Sequence, residues 1–237
     1  MSQQFFEQLF EHSQQVSPFL VGSIGHMPAE SLQLGANDGE KIKQLYQNIA
    51  KANPEAGSAY WLTRTWDLLC WQPVYVAFLS IYGFKTLPDI ARMGQSISLD
   101  GVAGFQFSDR THTHGDEETL IPQAGEGLRR LFEHYREAVS EWTRIRPGFT
   151  RHLFADLILA SLVKLQQFLP HIPSLYLREQ GRLWLDACQL PMKLLDSLRV
   201  DPRTDRLSLV RTSCCLVYKC EGQALCLDCP RHPQNRA

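Results

Sequence analysis

The chain has 237 residues, 44% hydrophobic and 21% charged, with a net charge of −1. That is enough for one large domain or two small ones around a buried core, and the charge balance excludes a polybasic binder of nucleic acid or membrane. The most apolar run, Val74 to Phe84, falls far short of the roughly 20 residues a spanning helix needs.

The opening segment, MSQQFFEQLFEHSQQV, lacks the basic start and cleavage site of a secretion signal. Its Phe5, Phe6, Leu9, Phe10 and Val16 instead recur as on the buried face of a helix. After a polar break, Ile42, Leu45, Tyr46 and Ile49 make one apolar stripe, with Asn37 or Asp38 placed to cap that helix. GSAYWLTRTWDLLCW predicts a helix ending at Pro73, where a second helix starts that Gly83 stops. From Gln95 to Phe107 the pattern alternates around Asp100-Gly101, which predicts a hairpin with a tight turn at that pair. SDRTHTHGDEET reads as a polar loop, and helical periodicity returns near Gly125, with Leu128, Leu131, Phe132, Tyr135, Val139 and Trp142 on one side. Pro147 and Gly148 are expected to end that helix. Two long helices follow, the second (SLYLREQGRLWLDACQLPMKLLDSL) kinked at Pro191. The alternating RLSLVRT then runs into the cysteines. The expected fold is mainly α with a small antiparallel β component (α+β): a helical body over 1–205 with a β-hairpin near 95–108, and a C-terminal cysteine-rich tail over 206–237.

Five of the seven cysteines lie between Arg211 and His232, and Cys214 and Cys215 are adjacent. The chain reads as cytoplasmic, where clustered thiols bind metal rather than close disulfides, and the odd count points the same way. Ten residues separate Cys215 from Cys226, and two separate Cys226 from Cys229. The C-x2-C half alone suits zinc, an iron–sulfur cluster or a redox dithiol. Adjacent cysteines on a strand face opposite sides, so they serve one zinc ion only if the backbone turns there. A [2Fe–2S] cluster, with two irons each needing two thiolates, accepts them more readily. Cys70 and Cys188 lie in apolar helical segments and read as buried small hydrophobes.

The pattern C-C-x10-C-x2-C resembles the terminal motif of the FhuF-like ferric-siderophore reductases. The resemblance implies a [2Fe–2S] cluster held by Cys214, Cys215, Cys226 and Cys229, with Cys220 outside the family pattern. It further implies cytoplasmic one-electron reduction of a ferric siderophore, of hydroxamate type, with release of Fe(II). Oxygen ligands hold ferric iron far more tightly than ferrous. AGEGL lacks the third glycine of a dinucleotide fingerprint, so a separate ferredoxin, flavodoxin or flavin reductase is expected to supply the electron. The alternative is a non-enzymatic helical interaction protein with a structural zinc site made of four cysteines. A relative of siderophore synthetases ranks last, because no nucleotide-binding portion is recognisable. No nucleic-acid partner is expected, and association with a membrane is limited to a peripheral one.

The hairpin and the loop after it are the candidate docking region for the siderophore. Arg110, His112 and His114 are its candidate substrate residues, and the two histidines with Asp116 and Glu117 also have the makings of a second metal site. Arg64, flanked by Tyr60, Trp61 and Trp66, is the candidate cation of an aromatic patch for a large chelate. Lys219, Arg211 and Arg231 lie beside the cysteines in sequence, where positive charge raises a potential or attracts an anionic partner.

Overall fold

The computed structural model describes residues 2–98 and 101–236. Helix α1 (Ser2–Val16) buries Phe5, Phe6 and Leu9, as its spacing predicts. Helix α2 (Gly39–Ala52) buries Ile42, Leu45 and Ile49. Asp38 stands at its expected N-cap position, but its carboxylate makes no cap bond. It accepts instead from Gln33 N–H at 3.0 Å, Lys41 Nζ at 3.1 Å and His134 Nε2 at 3.0 Å. A buried carboxylate needs several donors, and here they tie α2 to a distant helix.

The expected break at Pro73 does not occur. Helix α3 runs unbroken from Ser58 to Phe78, with Pro73 inside it, and continues into a π-turn over Leu79–Gly83. Proline has no N–H to give to the carbonyl four residues earlier, which here is Leu69. Gln95 supplies the missing donor, with its Nε2 2.8 Å from Leu69 O and 2.8 Å from Tyr135 Oη. Its Oε1 accepts from Gln72 Nε2 at 3.1 Å, so all of its side-chain polar atoms are satisfied in a fully buried place.

Gln95 belongs to the predicted hairpin. Strand β3 (Gly94–Ser98) pairs antiparallel with β4 (Gly101–Phe107), Ser98 opposite Gly101. Asp100, half of the expected Asp100-Gly101 turn, lies outside the described residues. A short strand β1 (Gly22–Ile24) lies parallel to β4 on its other edge, so this sheet is mixed rather than purely antiparallel. The expected loop after the hairpin is partly ordered too. Strand β5 (His112–His114) pairs antiparallel with β2 (Thr86–Pro88). Asp116 then caps helix α4 (Glu117–Ser140), accepting from Thr119 N–H at 2.9 Å, so that helix starts well before Gly125.

Pro147 and Gly148 do not end α4 but open helix α5 (Pro147–Phe168), because proline costs nothing where no intrahelical N–H bond is owed. Helix α6 (Ser174–Ala187) is not kinked at Pro191 but stops before it. Gln189 takes a left-handed φ of 52°, its N–H bonds Asp186 O, and Leu190 N–H bonds Leu185 O. That pair of bonds is the Schellman stop. Trp184 stacks on Phe78 with ring centroids 4.6 Å apart and donates to Tyr82 Oη at 3.0 Å, locking α6 to the end of α3. Cys70 and Cys188 are buried, and burial pushes both thiols well above their ordinary range, as inert core residues require. No helix among the described residues is long and apolar enough to cross a membrane.

Candidate metal centre

The cysteine segment is held against α5 by two anchors. The hairpin of β6 (Leu198–Asp201) and β7 (Arg206–Leu209) returns the chain to that helix. There Gln166 Oε1 accepts from Leu207 N–H at 2.7 Å, and its Nε2 donates to Asp205 O at 2.9 Å. Nearer the N-terminus of α5, Asp156 accepts from Thr212 N–H and Ser213 N–H, each at 2.8 Å, and from Thr212 Oγ1 at 3.1 Å. His152 Nδ1 lies 3.1 Å from the same hydroxyl. Ten helical residues rise about 15 Å, close to what five extended residues span at about 3.3 Å each. The chain therefore lies nearly straight along α5 between Leu207 and Thr212.

It bends at Thr212 and Ser213. Leu216 adopts a left-handed φ of 61°, unusual for a branched side chain and a sign of constraint at this place. The two adjacent cysteines meet different partners. Cys214 Sγ lies 3.4 Å from Cys229 Sγ, and Cys215 Sγ lies 3.6 Å from Cys226 Sγ. Two thiolates bound tetrahedrally to one metal at 2.3 Å are roughly 3.7 Å apart, so each pair is spaced to grip one ion. Among the described residues no group of three or more His, Cys, Asp or Glu converges on a single ion position. Two irons with two thiolates apiece fit this paired donor set.

The sulfurs are supported from outside. Leu216 N–H points at Cys214 Sγ and Arg231 N–H at Cys229 Sγ, each at 3.4 Å. Arg211 Nη2 lies 3.6 Å from Cys215 Sγ and bonds Asp228 Oδ1 at 2.9 Å, closing the two ends of the motif on each other. Burial opposes the charge on Arg211, but Asp228 and the sulfurs of Cys215 and Cys226 outweigh it and hold the guanidinium charged. Burial pushes the thiols of Cys214 and Cys226 upward, and their cysteine neighbours push them further. Thiols kept protonated in this way surrender protons when a metal binds. Cys229 is buried, while Cys214, Cys215 and Cys226 are half-buried and Leu227 beside them is 81% exposed, so the centre has one edge at the surface.

Cys220 stands apart from the two pairs. It is buried against Tyr60 of α3, whose hydroxyl is pushed up to about 12 by burial and then by Cys220. Arg64, one turn on from Tyr60, is half-exposed on the same side of α3 and lies 3.7 Å from Asp67. Lys219 follows in a short turn that touches the Pro54–Ala56 turn, and Glu221 N–H bonds Glu55 Oε1 at 3.0 Å. Arg231 bonds Tyr218 Oη at 2.7 Å. The other sequence candidates lie elsewhere in the fold. His114 Nδ1 meets Thr86 Oγ1 at 2.7 Å, and His112 Nδ1 donates to Arg110 O at 2.7 Å while its ring packs on Phe5 and Phe6 of α1. Asp116 is spent on its cap and Glu117 on Lys85 and Tyr176.

The residues that sequence reasoning missed are Asp156 and His152. The available signal was one carboxylate in the otherwise apolar HLFADLILASLV: a charge on a buried face needs partners.

An all-cysteine metal tail docked on a helical body is thus the class of protein that this geometry defines. Residues 211–231 match the family model described as the FhuF 2Fe-2S C-terminal domain. The match spans all four paired cysteines, and the cofactor of this segment is a [2Fe–2S] cluster. No solved structure matches the chain.

Proposed function

We propose that the protein is a ferric-siderophore reductase that takes one electron at a time from a separate carrier and passes it to a ferric siderophore of hydroxamate type. The observation that carries this reading is the division of Cys214, Cys215, Cys226 and Cys229 into two pairs within the segment that matches the FhuF 2Fe-2S domain. We assign these four as the cluster ligands. When bound, an all-thiolate [2Fe–2S] group supplies one-electron transfer at potentials near roughly −400 mV. The chain's own task is then to position and tune. Asp156 and His152 fix the segment that carries Cys214 and Cys215. The N–H groups of Leu216 and Arg231, with the Arg211 guanidinium, offset negative charge on the sulfurs, which favours the reduced state. Arg64, half-exposed on α3, and Lys219, exposed beside Cys220, offer cationic contacts for an anionic carrier or chelate. Reduction of Fe(III) loosens its grip on hard oxygen ligands without breaking a covalent bond, so no acid–base side chain is required.

The test begins with an absorption spectrum of anaerobically purified protein, with iron, zinc and acid-labile sulfide assayed together. About two irons and two sulfides per chain are expected. The reduced protein, mixed with a ferric trishydroxamate and a ferrous-specific chelator, should then be reoxidised with one Fe(II) trapped per electron lost. A colourless, zinc-loaded protein, or reduced protein that survives the chelate unchanged, overturns the proposal.

A further inference from the structure

Away from the cysteines, α3, α4, the first turns of α5 and the stop of α6 enclose a half-open pocket of about 290 Å³. One part of its wall is apolar, from Trp66, Phe132, Phe154 and Leu190; the rest carries the guanidinium groups of Arg129, Arg136 and Arg151 against a single carboxylate, Glu133. Glu133 is spoken for: its hydrogen bonds to Arg136, with the charges of Arg136 and Arg151 and against burial, hold it below the usual carboxylate range. Neither Arg129 nor Arg151 forms an ion pair among the described residues. Arg129 Nη1 donates to Gln189 Oε1 at 3.1 Å, and its buried Nε–H has no acceptor among the described residues. The pocket's lining thus holds three arginines to one carboxylate, with Glu137 outside it also acting on Arg136.

Gln189 adds an independent observation. It occupies the left-handed position of a Schellman stop, where glycine is the favoured residue because a Cβ is strained there. Its side chain lines the pocket and orients Arg129. Backbone strain kept beside a cavity points to a task for the side chain that causes it.

We propose that this pocket binds a compact organic polycarboxylate, with two or more carboxylates on a short carbon frame. Guanidinium forks match carboxylates bidentately, and the aromatic wall suits a carbon frame. At about 290 Å³ the pocket lies at the low end of ordinary ligand pockets, which suits a small ligand. A ferric trishydroxamate is not the counterpart: its three monoanionic groups cancel the charge of the iron and leave nothing for the arginines. The two sites also use different faces of α5, since Thr150, Arg151 and Phe154 line the pocket while His152 and Asp156 hold the cysteine segment. The site therefore stands whether or not the protein reduces siderophores.

The experiment is calorimetric titration of the full cluster-loaded protein with citrate and, separately, with inorganic phosphate, at fixed ionic strength. Citrate should bind saturably at one site, and phosphate at least tenfold more weakly. Arg151→Gln, at an exposed position, should weaken citrate at least tenfold. Gln189→Gly should raise the melting temperature by relieving the strained turn while weakening citrate several-fold, a combination that a purely structural glutamine would not give. Absence of saturable citrate binding, equal affinity in the wild type and Arg151→Gln, or phosphate binding as tightly as citrate overturns the proposal.

Discussion

Asp156 is a carboxylate whose work is done on backbone 56 residues further along the chain. Its three accepted hydrogen bonds fix Thr212 and Ser213, and so the point from which Cys214 and Cys215 diverge. Asp156→Asn replaces one acceptor oxygen with an N–H₂ that faces another donor. The cost should be about 1–3 kcal/mol of stability, read by urea denaturation, with faster bleaching of the visible spectrum under a chelator. The cysteines allow a sharper contrast. Cys229→Ser should abolish the chromophore because it breaks a pair, whereas Cys220→Ser, which only loses its contact with Tyr60, should keep it. The opposite pattern in the visible spectra would mean that the ligand set is wrong. At this scale the cysteine cluster was visible because its spacing is local, but the pairing of Cys214 with Cys229 and of Cys215 with Cys226 was not. Nor was Asp156, since nothing near it in sequence shows where its donors come from. Arg64 was found on its helix, but its place on the cysteine side follows only from the packing of Tyr60 on Cys220.

Among elements, helix α3 shows why local rules fail at Pro73. A proline in a helix leaves one carbonyl bare, and sequence alone counts that as a break. Gln95, brought in by strand β3, covers the bare Leu69 carbonyl and makes continuity possible. Gln95→Leu should therefore cost about 1–3 kcal/mol. In a Pro73→Ala background the restored N–H reaches Leu69 itself, so the cost of Gln95→Leu should fall by about 1 kcal/mol. Denaturant melts of the four proteins in this double-mutant cycle measure the coupling; strict additivity would show that Gln95 does not substitute for the proline. The end of α6 was misread for a similar reason. Pro191 is the visible breaker in sequence, yet Gln189, a residue with no stop signature, turns the chain first. By contrast, α1 and α2 follow their apolar stripes because each packs a single face on the core.

For the molecule as a whole, the mixed sheet joins β1 to β4 across some eighty residues, and no periodicity encodes such a pairing. The mainly helical class was readable because it is the sum of local patterns; the docking of the cysteine segment along α5 was not. That docking predicts how the protein responds to loss of its metal. The helical core has its own buried cluster of side chains and owes nothing to the four paired cysteines. Metal-free protein should keep its far-ultraviolet helical signal, with faster amide exchange confined to residues 206–236 and the flanking part of α5. Exchange that accelerates throughout α3 and α4 would show instead that the metal centre supports the entire core. The two anchors on α5 have one more consequence, for heredity. Surface connections generally drift freely in length among descendants. Here Gln166 grips Leu207 and Asp156 grips Thr212, with the chain drawn nearly straight between them. A single inserted or deleted codon between those two grips would bring the wrong residue to Asp156 and throw both cysteine pairs out of step, so this stretch of the gene is ruled in fixed units.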